Sequence, residues 1–367
     1  MRDLEQPPLP RVLVVGVGSI GGTIACHLSD ADPSPVASVL GHSSNAAIVS
    51  AITEQGYRLK GMDGHQQVPG RATSTIAEDE PPFDFVVLAT QPPQVEAAAR
   101  SALPWLAEDG MMIVLQNGLC EDRVAQIAGP NRVAGAVVGW GASTVEPGFY
   151  ERTSEGGFTL GRMDGQEDPR LRTLATLLER VGPVDLTDNL AGARWSKLAL
   201  NCAVSTLGTI GGDTLGRLMR YLVIRRLALH LMTETVAVAK AEGVQLRKIA
   251  GTLDLDWLVL SDAERRSVIG SPSLLAKHSV LLAVGARYRR LRSSMLSAIE
   301  RGREPAVDFL NGEVVSRGLH HGIPTPVSAA AQDMVHQIAR GEATSGMHSV
   351  RQLATRVGLQ VAGFKGE

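Results

Sequence analysis

Residues 11–22 read Arg-Val-Leu-Val-Val-Gly-Val-Gly-Ser-Ile-Gly-Gly, a short apolar run that leads directly into a glycine-rich turn. The apolar residues 12–15 suit a buried strand, and the sequence after the turn suits a helix over residues 23–28. A strand, a glycine turn and a helix in this order are typical of nucleotide-binding βαβ units. The alternative is a glycine turn that holds no ligand.

Each glycine of this turn has a predicted task. Gly16 permits the tight turn, Gly18 lets phosphate groups approach the backbone, and Gly21 lets the helix pack closely on the strand. The N–H groups at the start of the helix, around Ser19 and Ile20, favour an anion. The turn is therefore predicted to bind the pyrophosphate of a dinucleotide.

Composition and charge argue against several other classes of protein. The chain has 367 residues, which predicts two to three domains, and its 36 basic and 38 acidic residues leave no basic surplus for nucleic acid. The first residues show no apolar signal region, and the most apolar later stretch, residues 273–284, is too short to span a membrane. Cys26, Cys120 and Cys202 are odd in number and scattered, so neither a disulfide framework nor a metal site is predicted, and a reducing cytoplasm is expected.

Strand-like apolar runs recur through the first half of the chain and predict a mostly parallel, doubly wound sheet. The predicted strands are residues 12–15, 36–40, 85–89, 112–115 and 133–138. Residues 138–161 are rich in Gly, Thr, Ser and aromatic residues, and we expect them to add extended antiparallel pieces that close the sheet.

Helical periodicity replaces the strands in the second half. It extends over residues 198–243, 287–300 and 306–320. This pattern predicts an all-α domain. We therefore expect an α/β domain of the Rossmann type over residues 1–188 and a helical domain over residues 189–340. A loosely attached polar tail is expected over residues 341–367, with one short helix at 349–357.

The end of the second predicted strand bears on the choice of cofactor. An acidic residue there usually binds the ribose 2′-hydroxyl of NAD, but residues 40–45 read Leu-Gly-His-Ser-Ser-Asn. A 2′-phosphate would be repelled by a carboxylate and accepted by hydroxyls and a partly charged His42. NADP(H) is therefore favoured over NAD(H), with His42 and Ser43 as ligands. A histidine in a solvated loop is the alternative.

Four segments together resemble the ketopantoate reductase (2-dehydropantoate 2-reductase) family over roughly residues 10–335. They are the glycine turn, Leu-Gln-Asn-Gly-Leu at 115–119, Trp-Ser-Lys-Leu-Ala-Leu-Asn at 195–201, and Arg-Ser-Ser-Met at 292–295 followed by Val-Asp-Phe-Leu-Asn-Gly at 307–312. The resemblance implies a Rossmann domain followed by a helical domain of the 6-phosphogluconate dehydrogenase C-terminal type. It also implies reduction of a small-molecule 2-oxo acid by NADPH in the cleft between these domains, and it is compatible with a homodimer.

The second half offers a proton donor for such a reaction. Hydride transfer to a ketone leaves an alkoxide, so the site needs an acid near the carbonyl oxygen. Lys197, Asn201 and Ser205 are spaced four residues apart on a predicted helix and so lie along one face. The resemblance implies that Lys197 is the general acid and that Asn201 lies near the substrate. Desolvation in an apolar helix should lower the pKa of Lys197; the alternative is a lysine whose ammonium lies in solvent.

Further site residues follow from the resemblance. Asn117 comes after the fourth predicted strand and matches an asparagine near nicotinamide and substrate, although Asn-Gly also favours a turn. Ser293 and Ser294 match serines beside the substrate carboxylate, whereas a structural role is favoured for Asp308. The predicted cofactor-binding residues are Gly16, Gly18, Ser19, Ile20, Gly21, His42, Ser43, Gln91 and Asn117. The predicted substrate-binding residues are Asn117, Asn201, Ser205, Ser293 and Ser294.

Three positions depart from the family pattern. Ala306 stands where the family has a glutamate that bonds the substrate hydroxyl, Gln91 where it often has lysine, and Ser205 where it commonly has a second asparagine. Glu304 lies about 200° around a helix from residue 306 and cannot replace that glutamate. Unpaired polar groups decide which analogues a site rejects. The substrate is therefore ketopantoate or a related 2-oxo acid, and the three changes argue for the latter.

Two other functions stay open on the same architecture. An opine- or imine-type dehydrogenase would act on a carbon–nitrogen bond and would be recognised by a histidine acid in the cleft. The candidate histidines of the second half do not lie on the Lys197 motif; they are His230, His278, His320 and His321. A non-catalytic regulator would bind NADPH without reducing any 2-oxo acid.

The connection at residues 250–287 is longer than in compact members of the family. It contains Trp257, Leu258 and Leu260. We expect these apolar side chains to cover the cleft or to form a subunit contact.

Overall fold

A computed structural model of the chain describes residues 8–30, 34–61, 64–248, 253–266 and 271–359. The chain divides into two compact units, each with its own hydrophobic core. The first unit comprises residues 1–116 and 120–190, and the second comprises residues 117–119 and 191–367. The short loop 117–119 therefore groups with the second unit, although it follows a strand of the first.

The first unit is an α/β structure. Its strands are β1 (Arg11–Val15), β2 (Ser38–His42), β3 (Tyr57–Lys60), β4 (His65–Val68), β5 (Ala72–Thr73), β6 (Phe83–Leu88), β7 (Leu106–Val114), β8 (Val133–Val138), β9 (Ala142–Glu146), β10 (Phe149–Arg152), β11 (Phe158–Gly161) and β12 (Val184–Leu186). Its helices are α1 (Ser19–Ser29), α2 (Ala46–Gln55), α3 (Val95–Ala102), α4 (Glu121–Ala128) and α5 (Pro169–Leu178).

The main sheet of the first unit confirms the predicted doubly wound architecture. Within the described residues it has eight strands in the order β12-β11-β8-β7-β6-β1-β2-β5. The strands from β8 to β5 are parallel to their neighbours, and β11 pairs with β8 in the antiparallel direction. All five predicted strands lie in this sheet. Their side chains are apolar on both faces, as residues 12–14 illustrate with 0% exposure, because a central parallel strand is covered on both sides.

A second sheet was not predicted. Its described strands follow the order β4-β3-β10-β9. The expectation that residues 138–161 close the main sheet is therefore correct for β11 and wrong for β9 and β10. Strand β9 pairs with β10, and β10 pairs with β3 of the β3–β4 hairpin. This pairing brings the buried side chains of Tyr57, Leu59 and Tyr150 into one apolar core. Helix α1 contacts this sheet.

The second unit is helical, as predicted. Its helices are α6 (Leu190–Gly211, which begins at the last residue of the first unit), α7 (Leu215–Leu218), α8 (Leu222–Ala241), α9 (Leu255–Leu258), α10 (Asp262–Arg266), α11 (Pro272–Arg287), α12 (Ser294–Glu300), α13 (Asn311–His320), α14 (Pro326–Ala339) and α15 (Met347–Arg356). A 3-10 helix spans Ala306–Phe309. None of the helices in the described part of the chain combines the length and hydropathy needed to cross a membrane.

The predicted helical stretches are interrupted more often than periodicity alone indicates. The stretch 198–243 is divided after Gly211, because Gly212 has φ +69° and ends the helix. Helix α11 ends at Arg287, and Ser293 caps the start of α12 through the N–H of Leu296. The stretch 306–320 is divided at Leu310 into the 3-10 helix and α13.

Two expectations about the outer segments are corrected. The tail after residue 340 is not loosely attached, because α15 buries Val350, Leu353 and Ala354 completely in the helical core; residues 360–367 lie outside the described residues. In the 250–287 connection, Leu258 and Leu260 are also buried in that core, so they are not available to cover a cleft or contact a subunit. Trp257 of the same segment is 45% exposed.

Candidate active site

The glycine turn adopts the geometry that its sequence predicts. Gly16 has φ +95°, and a Cβ there would lie 2.8 Å from the backbone nitrogen of Thr90. A Cβ on Gly21 would overlap the carbonyl oxygen of Gly16 and lie 2.9 Å from the Cβ of Ala89. By contrast, a Cβ on Gly18 would meet no atom within 4 Å among the described residues beyond its neighbours in the chain. The protein's own packing therefore requires Gly16 and Gly21, whereas Gly18 faces open space that a ligand can use.

The sheet brings the other predicted cofactor residues of the first unit to the same edge. The N–H of Gly16 donates to the carbonyl of His42 at 2.9 Å, and the N–H of Ala89 donates to the carbonyl of Val15 at 2.8 Å. These bonds join the carboxyl ends of β1, β2 and β6, where ligands bind in open α/β sheets. Gln91, two residues beyond Ala89, is exposed. Cofactor contacts by these residues stay a prediction.

The surroundings of His42 reduce the partial charge expected on it. His42 is the last residue of β2 and is partly buried. Desolvation lowers the pKa of its imidazole below the ordinary value of 6.5, which favours the neutral ring. The argument for a 2′-phosphate therefore depends on hydroxyls such as that of Ser43 and on the absence of a carboxylate at residues 40–45.

Helix α6 carries the predicted acid and its neighbours. The 22-residue helix contains Lys197, Asn201 and Ser205, which confirms that they share one helix. Burial lowers the pKa of the Lys197 ammonium to about 7, with a further contribution from the nearby guanidinium of Arg194. The amide nitrogen Nδ2 of Asn201 is buried and has no hydrogen-bond partner among the described residues. A partly buried ammonium with a pKa near 7 lies one helical turn from a buried amide nitrogen that has no partner among the described residues. This pair suits the binding of a polar oxygen.

Arg194 was missed by the sequence analysis. Its side chain is 1% exposed on α6, three residues before Lys197. The spacing i, i−3 on a helix places two side chains side by side, so the sequence contained a signal for this effect. The size of the resulting shift in the pKa of Lys197 depends on burial, which the sequence does not show.

The Asn117 loop packs within the second unit. Gly118 has φ +96°, which confirms the turn that Asn-Gly favours. A Cβ on Gly118 would overlap the carbonyl oxygen of Phe309, the last residue of the 3-10 helix that begins at Ala306. The Asn117 loop therefore lies next to the element that carries the departure at Ala306.

The two serines have different environments. Ser293 is 7% exposed, and its hydroxyl donates to the carbonyl of Ser205 at 2.8 Å. The hydroxyl oxygen of Ser293 also lies 2.9 Å from the hydroxyl oxygen of Thr209, and it accepts a hydrogen bond from the N–H of Leu296. These bonds favour a structural role for Ser293, whereas Ser294 is exposed. Contact of either serine with substrate stays a prediction.

Asp308 has the structural role that was favoured for it. Its Oδ1 accepts from Nε2 of Gln332 at 2.6 Å and lies 2.8 Å from Nε2 of His336. Asn311, on α13 rather than on the same helix as Asp308, is fully buried and accepts from the hydroxyl of Thr206 at 2.5 Å. These contacts fix the 3-10 helix and α13 against α14 and α6.

No group of three or more His, Cys, Asp or Glu side chains in the described ranges has a geometry suited to a metal ion. Cys26, Cys120 and Cys202 are buried, and no disulfide joins them. The groups with candidate chemistry are the glycine turn in the first unit and the α6 side chains in the second.

Comparison with known proteins gives one consistent result. The sequence model of the family Ketopantoate reductase PanE/ApbA matches residues 12–165, and that of its C-terminal domain matches residues 189–339. A 2-dehydropantoate 2-reductase from Halobacterium salinarum is 27% identical over 332 residues, which cover 90% of this chain and 99% of the relative.

Solved structures agree on the fold. The crystal structure of a PanE/ApbA family ketopantoate reductase from Ralstonia eutropha has a TM-score of 0.73 at 27% identity, covering 90% of this chain and 99% of that chain. A D-mandelate dehydrogenase solved with NADH and anilino(oxo)acetate has a TM-score of 0.73 and the same coverage at 18% identity. That second likeness shows a shared fold alone.

Proposed function

Because this chain belongs to the ketopantoate reductase family of oxidoreductases, we propose that it reduces a 2-oxo acid to the 2-hydroxy acid, with a hydride from NADPH and a proton from Lys197. The observation that carries the proposal is on α6. Lys197 has a pKa lowered to about 7, and Asn201, one turn away, has a buried amide with no partner among the described residues. An unpaired buried amide costs stability unless a ligand completes it.

Lys197 and Asn201 would stabilise the charge that develops on the substrate, and Lys197 would supply the proton. The carbonyl oxygen of the substrate would accept hydrogen bonds from the Lys197 ammonium and the Asn201 amide. NADPH, when bound, supplies the hydride, which forms the new C–H bond at the second carbon. As negative charge grows on the oxygen, the Lys197 ammonium transfers a proton to it. The substrate carbonyl thereby becomes a hydroxyl, and the Lys197 side chain becomes a neutral amine. A pKa near 7 suits this transfer because the acid is neither too weak nor mostly deprotonated.

The residues of the first unit fit the cofactor. Open space beside Gly18 would admit the pyrophosphate, and the helix that starts at Ser19 would direct its first N–H groups toward it. No carboxylate stands at residues 40–45 to bind a ribose 2′-hydroxyl. The hydroxyls there support NADPH over NADH.

The substrate proposed is a 2-oxo acid other than ketopantoate. Ala306 begins the 3-10 helix next to the Asn117 loop and has no polar group to offer a substrate hydroxyl. Glu304 is exposed. A site without a hydrogen-bonding partner for the hydroxyl gives up the discrimination that such a partner provides.

The proposal is tested by measuring NADPH oxidation with a panel of 2-oxo acids, including ketopantoate and acids with apolar side chains. We expect measurable turnover with at least one acid of the panel and weak turnover with ketopantoate. Binding of NADPH without turnover of any panel member would favour a non-catalytic regulator. Turnover only when an amine is added would favour an imine-type dehydrogenase.

Ala306→Glu is the prediction that tests the substrate class. Adding a carboxylate at this position should raise kcat/KM for ketopantoate about 10- to 100-fold, since a hydrogen bond to a charged group contributes roughly 1.5–3 kcal/mol. Little change is expected with a 2-oxo acid that lacks the 4-hydroxyl. Ala306→Gln is the control without charge. An unmodified protein that already reduces ketopantoate as fast as the variant would contradict the prediction.

A further inference from the structure

The second sheet, β4-β3-β10-β9, carries none of the residues to which the proposed function assigns a role. It packs against α1, the helix that follows the glycine turn. Two tyrosines point from it into the core of the first unit, Tyr57 on β3 and Tyr150 on β10, and both are 0% exposed. A fully buried phenol hydroxyl needs a hydrogen-bond partner. The groups that accept from these two hydroxyls therefore show which backbone segments the sheet holds in place.

Tyr150 supports the glycine turn directly. Its hydroxyl donates to the carbonyl oxygen of Val17 at 2.7 Å in a buried environment. Val17 is the residue between Gly16 and Gly18. The ring of Tyr150 also covers Gly22, where a Cβ would overlap the ring atoms. One side chain therefore contacts both the glycine turn and the first turn of α1.

Tyr57 makes a different contact and provides a comparison. Its hydroxyl lies 3.3 Å from the carbonyl of Arg71, which also accepts the N–H of Gly41 at 2.9 Å. After loss of the Tyr57 hydroxyl, the Arg71 carbonyl would still accept the hydrogen bond from the N–H of Gly41. Loss of the Tyr150 hydroxyl would take away the short bond that the Val17 carbonyl accepts. The same substitution at two equally buried sites of one sheet therefore has different consequences for the turn.

We propose that Tyr150 is a positioning residue for the cofactor: its hydroxyl holds the Val17 carbonyl, so that the N–H groups after Gly18 are fixed in the direction of the pyrophosphate. The inference rests on the proposed function. Holding these groups before binding removes part of the ordering cost that the cofactor would otherwise bear. The effect should appear in cofactor affinity and not in the chemical step.

The donor is available at any pH used in an assay. Burial raises the pKa of the Tyr150 phenol well above its ordinary value of 10, and it raises the pKa of the neighbouring Cys26 thiol to about 12. Neither group ionises near neutrality. The support that Tyr150 gives to the turn should therefore not change between pH 6 and pH 9.

The test compares Tyr150→Phe with Tyr57→Phe in the full chain. Each protein is titrated with NADPH and with NADH, kcat and KM are measured on the best 2-oxo acid, and amide hydrogen exchange is followed without cofactor. For Tyr150→Phe we expect the Kd and KM for the preferred cofactor to rise about 3- to 10-fold, as for one lost hydrogen bond, with kcat at saturation unchanged. Amides of residues 18–22 should exchange faster. Tyr57→Phe should leave all of these within about 2-fold of wild type.

Three results would overturn the inference while wild type still binds cofactor. They are an unchanged Kd in Tyr150→Phe, an equal rise in both variants, and a loss of kcat with unchanged KM. Failure of the proposed function looks different. Wild type that binds NADPH without turning over any 2-oxo acid leaves the Kd and exchange comparisons to test the inference. The other form of failure is a wild type that binds neither nucleotide. In that case faster exchange at residues 18–22 in Tyr150→Phe alone would still show that Tyr150 holds the turn, and its absence would show that it does not.

Discussion

Lys197→Ala is expected to lower kcat about 10²- to 10⁴-fold on the best 2-oxo acid, the range typical of losing one general acid. The affinity for NADPH should change little, because Lys197 lies on α6 and the glycine turn lies between β1 and α1. The measurement is steady-state kinetics together with a cofactor titration. The matched control is Lys240→Ala, since that lysine lies on α8 with its side chain 58% exposed and paired with Asp256.

The pH dependence gives the same prediction a second readout. Because burial and Arg194 lower the pKa of Lys197 from 10.5 to about 7, the ammonium is lost as pH rises through that value. Reduction needs the protonated form, so kcat/KM of the wild type should be high below pH 7 and fall above it. This descending limb should be absent in Lys197→Ala. A variant with normal kcat and an unchanged pH profile would assign the proton to another group.

Gly18→Val should abolish detectable NADPH binding while leaving the fold intact. The valine side chain would occupy the open space beside Gly18, where the pyrophosphate is proposed to lie. Because a Cβ at this position would meet no described residue within 4 Å apart from its neighbours in the chain, the thermal unfolding temperature should stay close to that of wild type. Binding is measured by titration with NADPH and NADH in parallel.

Gly18→Ala is the graded control for this prediction. Its single methyl group should weaken binding less than valine does, with the same unfolding temperature. Normal NADPH affinity in Gly18→Val would mean that the turn does not hold the pyrophosphate. Equal affinities of the wild type for NADPH and NADH would contradict the preference inferred from residues 40–45.

Local pattern was enough to predict much of this protein. The strand 12–15, the glycine turn and the following helix are coded by neighbouring residues, so their order appears in the sequence before any contact is known. The helical placement of Lys197, Asn201 and Ser205 follows from periodicity in the same way. The family could also be identified, because four short segments keep their order and spacing.

Other features depend on residues that are far apart in the chain. Strand β10 pairs with β3 through Phe149 and Arg58, about ninety positions apart, so neither strand's partner is visible in its own sequence. The hydroxyl of Ser293 is hydrogen-bonded to Ser205 and Thr209, which lie more than eighty positions away in the chain. A pattern of single residues cannot distinguish such a cap from a substrate ligand.

The sequence by itself determined the fold class, the glycine turn and the helix that carries the acid, because each depends on side-chain size and spacing over a few turns or strands. Only the tertiary structure decided the electrostatics and the support of the site. The lowered pKa values of His42 and Lys197 arise from desolvation. The hydrogen bond from Tyr150 to Val17 arises from packing a second sheet on α1. Burial is a property of the whole chain, since water is excluded from a group only when distant segments cover it.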